Sequence, residues 1–173
     1  SAGERCMAIS VLITVGNAAD KLLPKIRERM AALKVGNGLD PASQMGPLIT
    51  QQHRDRVAGY VAKGVEEGAD LLVDGRGLKV SGHEKGFFLG PCLLDNVQSG
   101  MSVYQDEIFG PVLGNVRVAT YNEAIALIHA HRYANGTAIF TNDGGAARKF
   151  QHEIQVGMVG INVPIPVPMA YYS

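Results

Sequence analysis

Cys6 is the most reactive side chain type this sequence offers, and its neighbours set the chemistry. It stands in Gly3-Glu4-Arg5-Cys6-Met7-Ala8, with a guanidinium beside the thiol and small, helix-compatible residues after it. That order predicts a thiol at or near a helix N-terminus, where the helix dipole and Arg5 both favour thiolate and nucleophilic attack near neutral pH. The alternative is a buried, inert thiol, and Gly3 and Arg5 leave the two readings evenly matched. Cys92, in Leu89-Gly90-Pro91-Cys92-Leu93-Leu94, has apolar neighbours and reads as core. A second constellation is Gln105-Asp106-Glu107-Ile108-Phe109-Gly110-Pro111-Val112, an acid and an aromatic just before a Gly-Pro turn into a strand. Loops at strand ends commonly build the sites of α/β proteins. A carboxylate there accepts hydrogen bonds from two vicinal ribose hydroxyls; an exposed acidic turn is the plainer reading. The five histidines make no metal site. His129 and His131 are two apart, which does not put both rings on one helix face, and His53, His83 and His152 are isolated, so all five read as solvated or capping. No Walker loop, G-x-G-x-x-G or G-x-S-x-G occurs.

The elements that must position these residues alternate along the chain. A β-branched strand is predicted over 11–15, stopped by Gly16-Asn17. A helix follows over 20–34, with Leu22, Ile26, Met30 and Leu33 on one face and Pro24 in its first turn, ended by Gly36-Asn37-Gly38. After a long Gly/Pro/Asp/Ser loop over 36–48, Thr50 caps a helix over 51–67 whose stripe is Val57, Tyr60, Val61 and Val65. Strands are predicted at 71–73, 112–118, 137–141 and 158–162. An extended stretch over 87–94 carries Pro91, which argues for an edge or irregular position. Residues 101–111 read as a loop or short helix. Helices are expected from a cap at Asn122 to about 131, and over 145–154. The tail from 163 is Pro-rich and irregular. This alternation implies βαβ crossovers, hence an α/β fold: a mainly parallel open sheet with helices on both faces.

Composition limits the partners. The chain has 173 residues, 46% of them hydrophobic and 18% charged, which is the makeup of one core-forming domain. Lys+Arg and Asp+Glu both number 16, so there is no charge footprint for nucleic acid or an anionic membrane. No apolar run is long enough to span a bilayer, and residues 1–6 have no basic segment leading into an apolar one. The two cysteines make no disulfide framework. Glycine is abundant, with 21 residues, which points to many turns or close backbone approaches. The pattern runs to both ends without a natural start or stop, as in a piece of a longer protein.

Taken together, several segments resemble the aldehyde dehydrogenase superfamily, and within it the CoA-acylating branch that acts on methylmalonate and malonate semialdehydes. They are Gly3-Glu4-Arg5-Cys6-Met7; Gly36-Asn37-Gly38-Leu39-Asp40-Pro41 with Gly46-Pro47-Leu48-Ile49; Glu107-Ile108-Phe109-Gly110-Pro111-Val112; Tyr133-Ala134-Asn135-Gly136 with Phe140-Thr141-Asn142-Asp143; Gly157-Met158-Val159-Gly160-Ile161-Asn162; and Val163-Pro164-Ile165-Pro166-Val167-Pro168. The resemblance covers Ser1–Ser173. It implies that Cys6 is the nucleophile, with its backbone N–H in the oxyanion hole, and that Glu107 holds the nicotinamide ribose with Phe109 beside it. A guanidinium one residue before that nucleophile points to Arg5 as the group that meets a second substrate carboxylate; the alternative is that Arg5 only favours the Cys6 thiolate or pairs with Glu4. The implied cofactor is NAD, with CoA as acyl acceptor and no metal. The implied partners are a small aldehyde and further copies of the chain, as a dimer or tetramer. The implied location is the bacterial cytoplasm or the mitochondrial matrix. The resemblance also implies that residues 1–173 are a partial catalytic domain, with the NAD-binding domain and a C-terminal oligomerisation segment lying outside it. Two other enzyme and non-enzyme readings stay open on the residues: a hydrolytic aldehyde dehydrogenase releasing a free acid, and a thiol switch or interaction module using Cys6.

Overall fold

The computed structural model describes residues 2–165. It divides into two compact units, residues Ser1–Tyr121 and Asn122–Ser173.

The first unit is built on strands β1 (Val11–Val15), β2 (Asp70–Val73), β3 (Cys92–Asp95) and β4 (Val112–Val118), in the order β1-β4-β3-β2. β1 and β3 each pair parallel with β4, Ile13 lying opposite Val116 and Leu93 opposite Leu113, while β2 runs antiparallel to β3. Two long helices, α1 (Ala18–Ala31) and α2 (Gln51–Glu66), accompany the sheet, with a single turn, α3 (Ser102–Gln105). Neighbouring residues of a strand point to opposite faces. Leu93 joins Leu12 and Leu113 in a cluster with Ala19 and Leu23 of α1. Leu94, next in the strand, meets Gly64 of α2, where an added Cβ would lie 3.0 Å from it and 2.9 Å from Val103. The helices therefore cover both faces. All four β3 residues are buried, as expected of a central strand with both faces covered. Leu93, Leu94, Val57, Val61 and Val97 are fully inaccessible, each contributing about 1.5–3 kcal/mol of hydrophobic stabilisation.

Five expectations change here. Pro91 does not mark an edge. It precedes β3, and the first strand N–H, that of Cys92, donates to Pro111 O at 2.8 Å, so no ladder donor is lost. Pro24 lies in the interior of α1. It faces solvent, so the Asp20 carbonyl that Pro24 leaves without its helical donor lies on the exposed side of the helix. In α1 the buried residue is Leu23 rather than Leu22, which is 37% exposed, and the helix ends at Ala31, before Leu33 and the Gly36-Asn37-Gly38 turn. In α2, Gly64 takes the buried position expected of Val65. Thr50 caps α2 as its position predicts, its Oγ1 accepting from the His53 N–H at 3.1 Å.

The second unit carries α4 (Tyr121–Ala130), β5 (Gly136–Ile139), α5 (Gly144–Glu153) and β6 (Met158–Ile161). β5 and β6 form a separate two-stranded parallel sheet joined through α5. Asp143 caps α5, accepting from the Gly145 and Ala146 N–H groups at 2.7 and 3.0 Å. Asn122 is inside the first turn of α4 rather than its cap. Pro166 and Pro168 lie outside the described residues.

Candidate active site

Cys6 sits on a turn, not at a helix N-terminus. Ala2 and Gly3 have φ of 53° and 71°, and the Ala8 N–H donates to Arg5 O at 2.9 Å. The chain enters β1 only three residues after Ala8, so no helix has room to form. Arg5 and Cys6 are both exposed. The Arg5 guanidinium has no hydrogen bond or ion pair with the described residues, Glu4 included. Its charge is open to a ligand.

The Glu107 loop is held by one stripe of α2. Residues 53, 56, 57 and 60 share a helix face by their spacing, and each takes hold of a different point between 106 and 110. His53 Nε2 lies 2.7 Å from Phe109 O. Arg56 donates to Ile108 O at 3.0 Å, and Tyr60 donates its hydroxyl to Asp106 Oδ2 at 3.1 Å. Val57 packs so closely on Gly110 that an added Cβ there would lie 2.6 Å from a Val57 methyl. Phe109 is held at φ 58°. Glu107 alone of this run is exposed, and its carboxylate has no partner among the described residues. Both of its oxygens are thus available to a pair of hydroxyls, the chemistry a ribose requires.

Two contacts join the Cys6 turn to this loop and to the helix that grips it. The first is backbone to backbone: a Cβ on Gly3 would collide with the carbonyl oxygen of Gly110 and sit 2.6 Å from its carbon. Only glycine allows that approach. The second is Glu4, whose Oε1 lies 3.8 Å from His53 Nε2. That oxygen is buried without a hydrogen bond. Burial pushes the Glu4 carboxyl above its ordinary range, and His53 opposes only part of that rise. The fold brings the residues that the sequence singled out, Arg5–Cys6, Glu107 and Phe109, onto adjoining segments of one unit.

The aldehyde dehydrogenase family model matches residues 1–171. The chain belongs to the aldehyde dehydrogenase family. It is 56% identical, over its full length, to malonate-semialdehyde dehydrogenase from Pseudomonas aeruginosa, of which it covers 35%. It is 49% identical to the mitochondrial acylating methylmalonate-semialdehyde/malonate-semialdehyde dehydrogenase of Bos taurus, covering 100% of this chain and 32% of that one. Among solved structures, the methylmalonate-semialdehyde dehydrogenase of Oceanimonas doudoroffii superposes with a TM-score of 0.95 at 56% identity, covering 99% of this chain and 35% of that chain. An aldehyde dehydrogenase from Mycobacterium tuberculosis in complex with NAD+ superposes with a TM-score of 0.86 at 36% identity, covering 93% and 33%. The chain thus spans about a third of the length of the relatives it matches.

In this aldehyde dehydrogenase chain Cys92, His129 and His131 have structural contacts. Cys92 is buried, accepts from the Gly75 N–H at 3.3 Å, and its thiol is pushed up by burial. His131 Nδ1 accepts from the Tyr133 N–H and His129 Nε2 from the Gln155 N–H, so these rings bind backbone rather than only water. No group of three or more His, Cys, Asp or Glu among the described residues is placed to hold a metal. No described helix is long and apolar enough to cross a membrane. Sequence reasoning missed His53, Glu4 and Arg56. A signal for His53 existed: it falls four residues before Val57 and seven before Tyr60, on the stripe already read as core-facing.

Proposed function

We propose that this chain supplies the nucleophile and the nicotinamide-ribose carboxylate of an NAD-dependent, CoA-acylating oxidoreductase for malonate and methylmalonate semialdehydes. The observation that carries this reading is the backbone contact of Gly3 with Gly110. It seats the Cys6 turn on the loop that presents the unpartnered Glu107 carboxylate. Family membership and the names of the similar relatives supply the substrate class.

In this reading the Cys6 thiolate attacks the aldehyde carbon, forming a C–S bond while the carbonyl electrons move to oxygen. The Cys6 N–H lies beside that oxygen and stabilises its charge. NAD, when bound, takes up the hydride that leaves this carbon, so a two-electron oxidation converts the adduct to a Cys6 thioester. Glu107 accepts hydrogen bonds from the nicotinamide ribose and Phe109 packs beside it. Arg5 pairs with the second carboxylate of the substrate. That carboxylate is β to the thioester carbonyl, which accepts the electrons of the breaking C–C bond as carbon dioxide departs, and a proton then fills the vacated position. The thiol of CoA attacks the acyl carbon and releases Cys6 as thiol. Methylmalonate semialdehyde yields propionyl-CoA and malonate semialdehyde yields acetyl-CoA. The chain acts as the nucleophile-bearing part of a longer polypeptide that assembles as a homo-oligomer, a dimer or tetramer. That polypeptide works in the cytoplasm of a bacterium or, in a eukaryote, in the mitochondrial matrix.

The test is product analysis of the complete enzyme with malonate semialdehyde and NAD, with and without CoA. Acetyl-CoA and NADH in equal amounts are expected, with carbon dioxide released. A free acid formed at the same rate whether CoA is present or not would overturn the acylating assignment.

A further inference from the structure

His53 stands between the two halves of the site without being part of either. Its backbone is fixed in the first turn of α2 by the Thr50 cap. A carbonyl oxygen only accepts, so the 2.7 Å contact with Phe109 O places the ring proton on Nε2. The same nitrogen faces Glu4 Oε1 at 3.8 Å, beyond hydrogen-bond length but within reach of its charge. Phe109 is the positive-φ residue of the Glu107 loop, and its carbonyl is the point at which His53 holds the loop, two residues after Glu107. Glu4 is two residues from Cys6, on the same turn as Gly3, which packs against Gly110.

We propose that His53 is a positioning residue for hydride transfer: through Phe109 O and Glu4 it fixes the Cys6 turn and the Glu107 loop in one mutual placement. The inference rests on the function proposed above. Hydride transfer needs the carbon on Cys6 and the nicotinamide held in near-attack geometry, and small misplacements lower the rate steeply. Binding of either partner alone does not need that mutual placement. The loss should therefore fall on kcat more than on KM.

The experiment uses the complete enzyme and the substitutions His53→Ala, His53→Asn and His53→Gln. A Gln amide nitrogen falls where Nε2 stands, whereas an Asn amide is too short to reach Phe109 O. The readout is the single-turnover hydride rate per titrated active thiol at saturating NAD and malonate semialdehyde. His53→Ala and His53→Asn should lose about fivefold to tenfold in rate, with KM for NAD within about twofold of the wild type, and His53→Gln should recover to within about twofold. Glu4→Gln should slow the reaction about two- to threefold in the wild-type background and have no further effect beside His53→Ala. That pairing keeps the proposal testable even if one His53 variant folds poorly, because normalising to active thiol removes misfolded protein. Full activity of His53→Ala, failure of Gln to outperform Asn, or additive losses for Glu4 and His53 would each overturn it. A wild-type enzyme with no NAD-dependent turnover of the semialdehyde would instead overturn the proposed function itself.

Discussion

Replacing Gly3 by alanine separates backbone strain from loss of docking, because the chain carries its own control. Gly3 and Gly16 have nearly the same backbone, with φ of 71° and 61°. A Cβ on Gly16 meets nothing within 4 Å, whereas one on Gly3 drives into the Gly110 backbone. Gly16→Ala should therefore cost only the left-handed penalty, about 1–2 kcal/mol. Gly3→Ala pays the same penalty and adds an overlap that no rotamer can relieve, worth about 1–3 kcal/mol more. At roughly 2–4 °C per kcal/mol for a chain of this size, Gly3→Ala should melt several degrees below Gly16→Ala. If instead the turn lifts away to escape the overlap, melting will change less and the Cys6 alkylation rate by iodoacetamide will change more. Gly16→Ala should leave that rate alone. Thermal melts and alkylation kinetics on both variants make the comparison. Equal melting temperatures together with equal alkylation rates would show that the Gly3–Gly110 contact does not hold the Cys6 turn.

Arg5→Gln in the complete enzyme should lower kcat/KM about 10- to 150-fold for malonate semialdehyde and leave propanal nearly unchanged, since a charged hydrogen bond is worth about 1.5–3 kcal/mol; equal losses would refute carboxylate recognition. Brief iodoacetamide treatment followed by mass spectrometry should label exposed Cys6 well before Cys92, which is fully buried with its thiol pushed up by burial. Burial alone would raise the Asp95 carboxyl, but hydrogen bonds from Arg117 and Asn115 hold it below its ordinary value. Its stabilising contribution is present above the unfolded carboxylate range and lost as pH falls through the lowered folded value. Asp95→Asn should therefore cost about 1.5–3 kcal/mol at pH 7 and progressively less as denaturation is measured at lower pH. Glu4 has the opposite sign: its folded value is raised, so the ionised side chain costs stability above that value. Glu4→Gln should be at least as stable as the wild type at pH 7, with the difference vanishing below the ordinary carboxylate range.

Local signals carried the elements whose own residues decide them. β4 was legible as a valine-rich stretch entered through Gly110-Pro111, and the start of α2 from Thr50. What failed depended on tertiary context. Pro91 looks like an edge signal until Pro111 O is seen to receive the next N–H. The choice of Leu23 over Leu22 turns on which side of α1 meets Leu93. Gly64 outranks Val65 because only a glycine fits against Leu94 and Val103. Of the candidate site, Arg5, Cys6, Glu107 and Phe109 were marked by motif, but the predicted helix at Cys6 was not there. Positive φ at Ala2 and Gly3 and the nearness of β1 leave space only for a turn. His53 was hidden because its partners, Phe109 O and Glu4, are remote in sequence and one of them is a main-chain atom that every residue possesses.

The grip of α2 on the 106–110 loop has a bearing on how freely that loop can be rewritten. Arg56 and His53 hold the carbonyls of Ile108 and Phe109, not their side chains. Ile108 is buried in the core and cannot be exchanged freely, but Phe109 is only half-buried: an engineer can replace its ring by another side chain without a branched Cβ, which the positive φ at 109 would strain, and keep the main-chain grip that aims Glu107. The helix is the inflexible partner. A single residue inserted between 53 and 60 would swing the later grips through about 100° and release the loop, although every side chain involved would still be present.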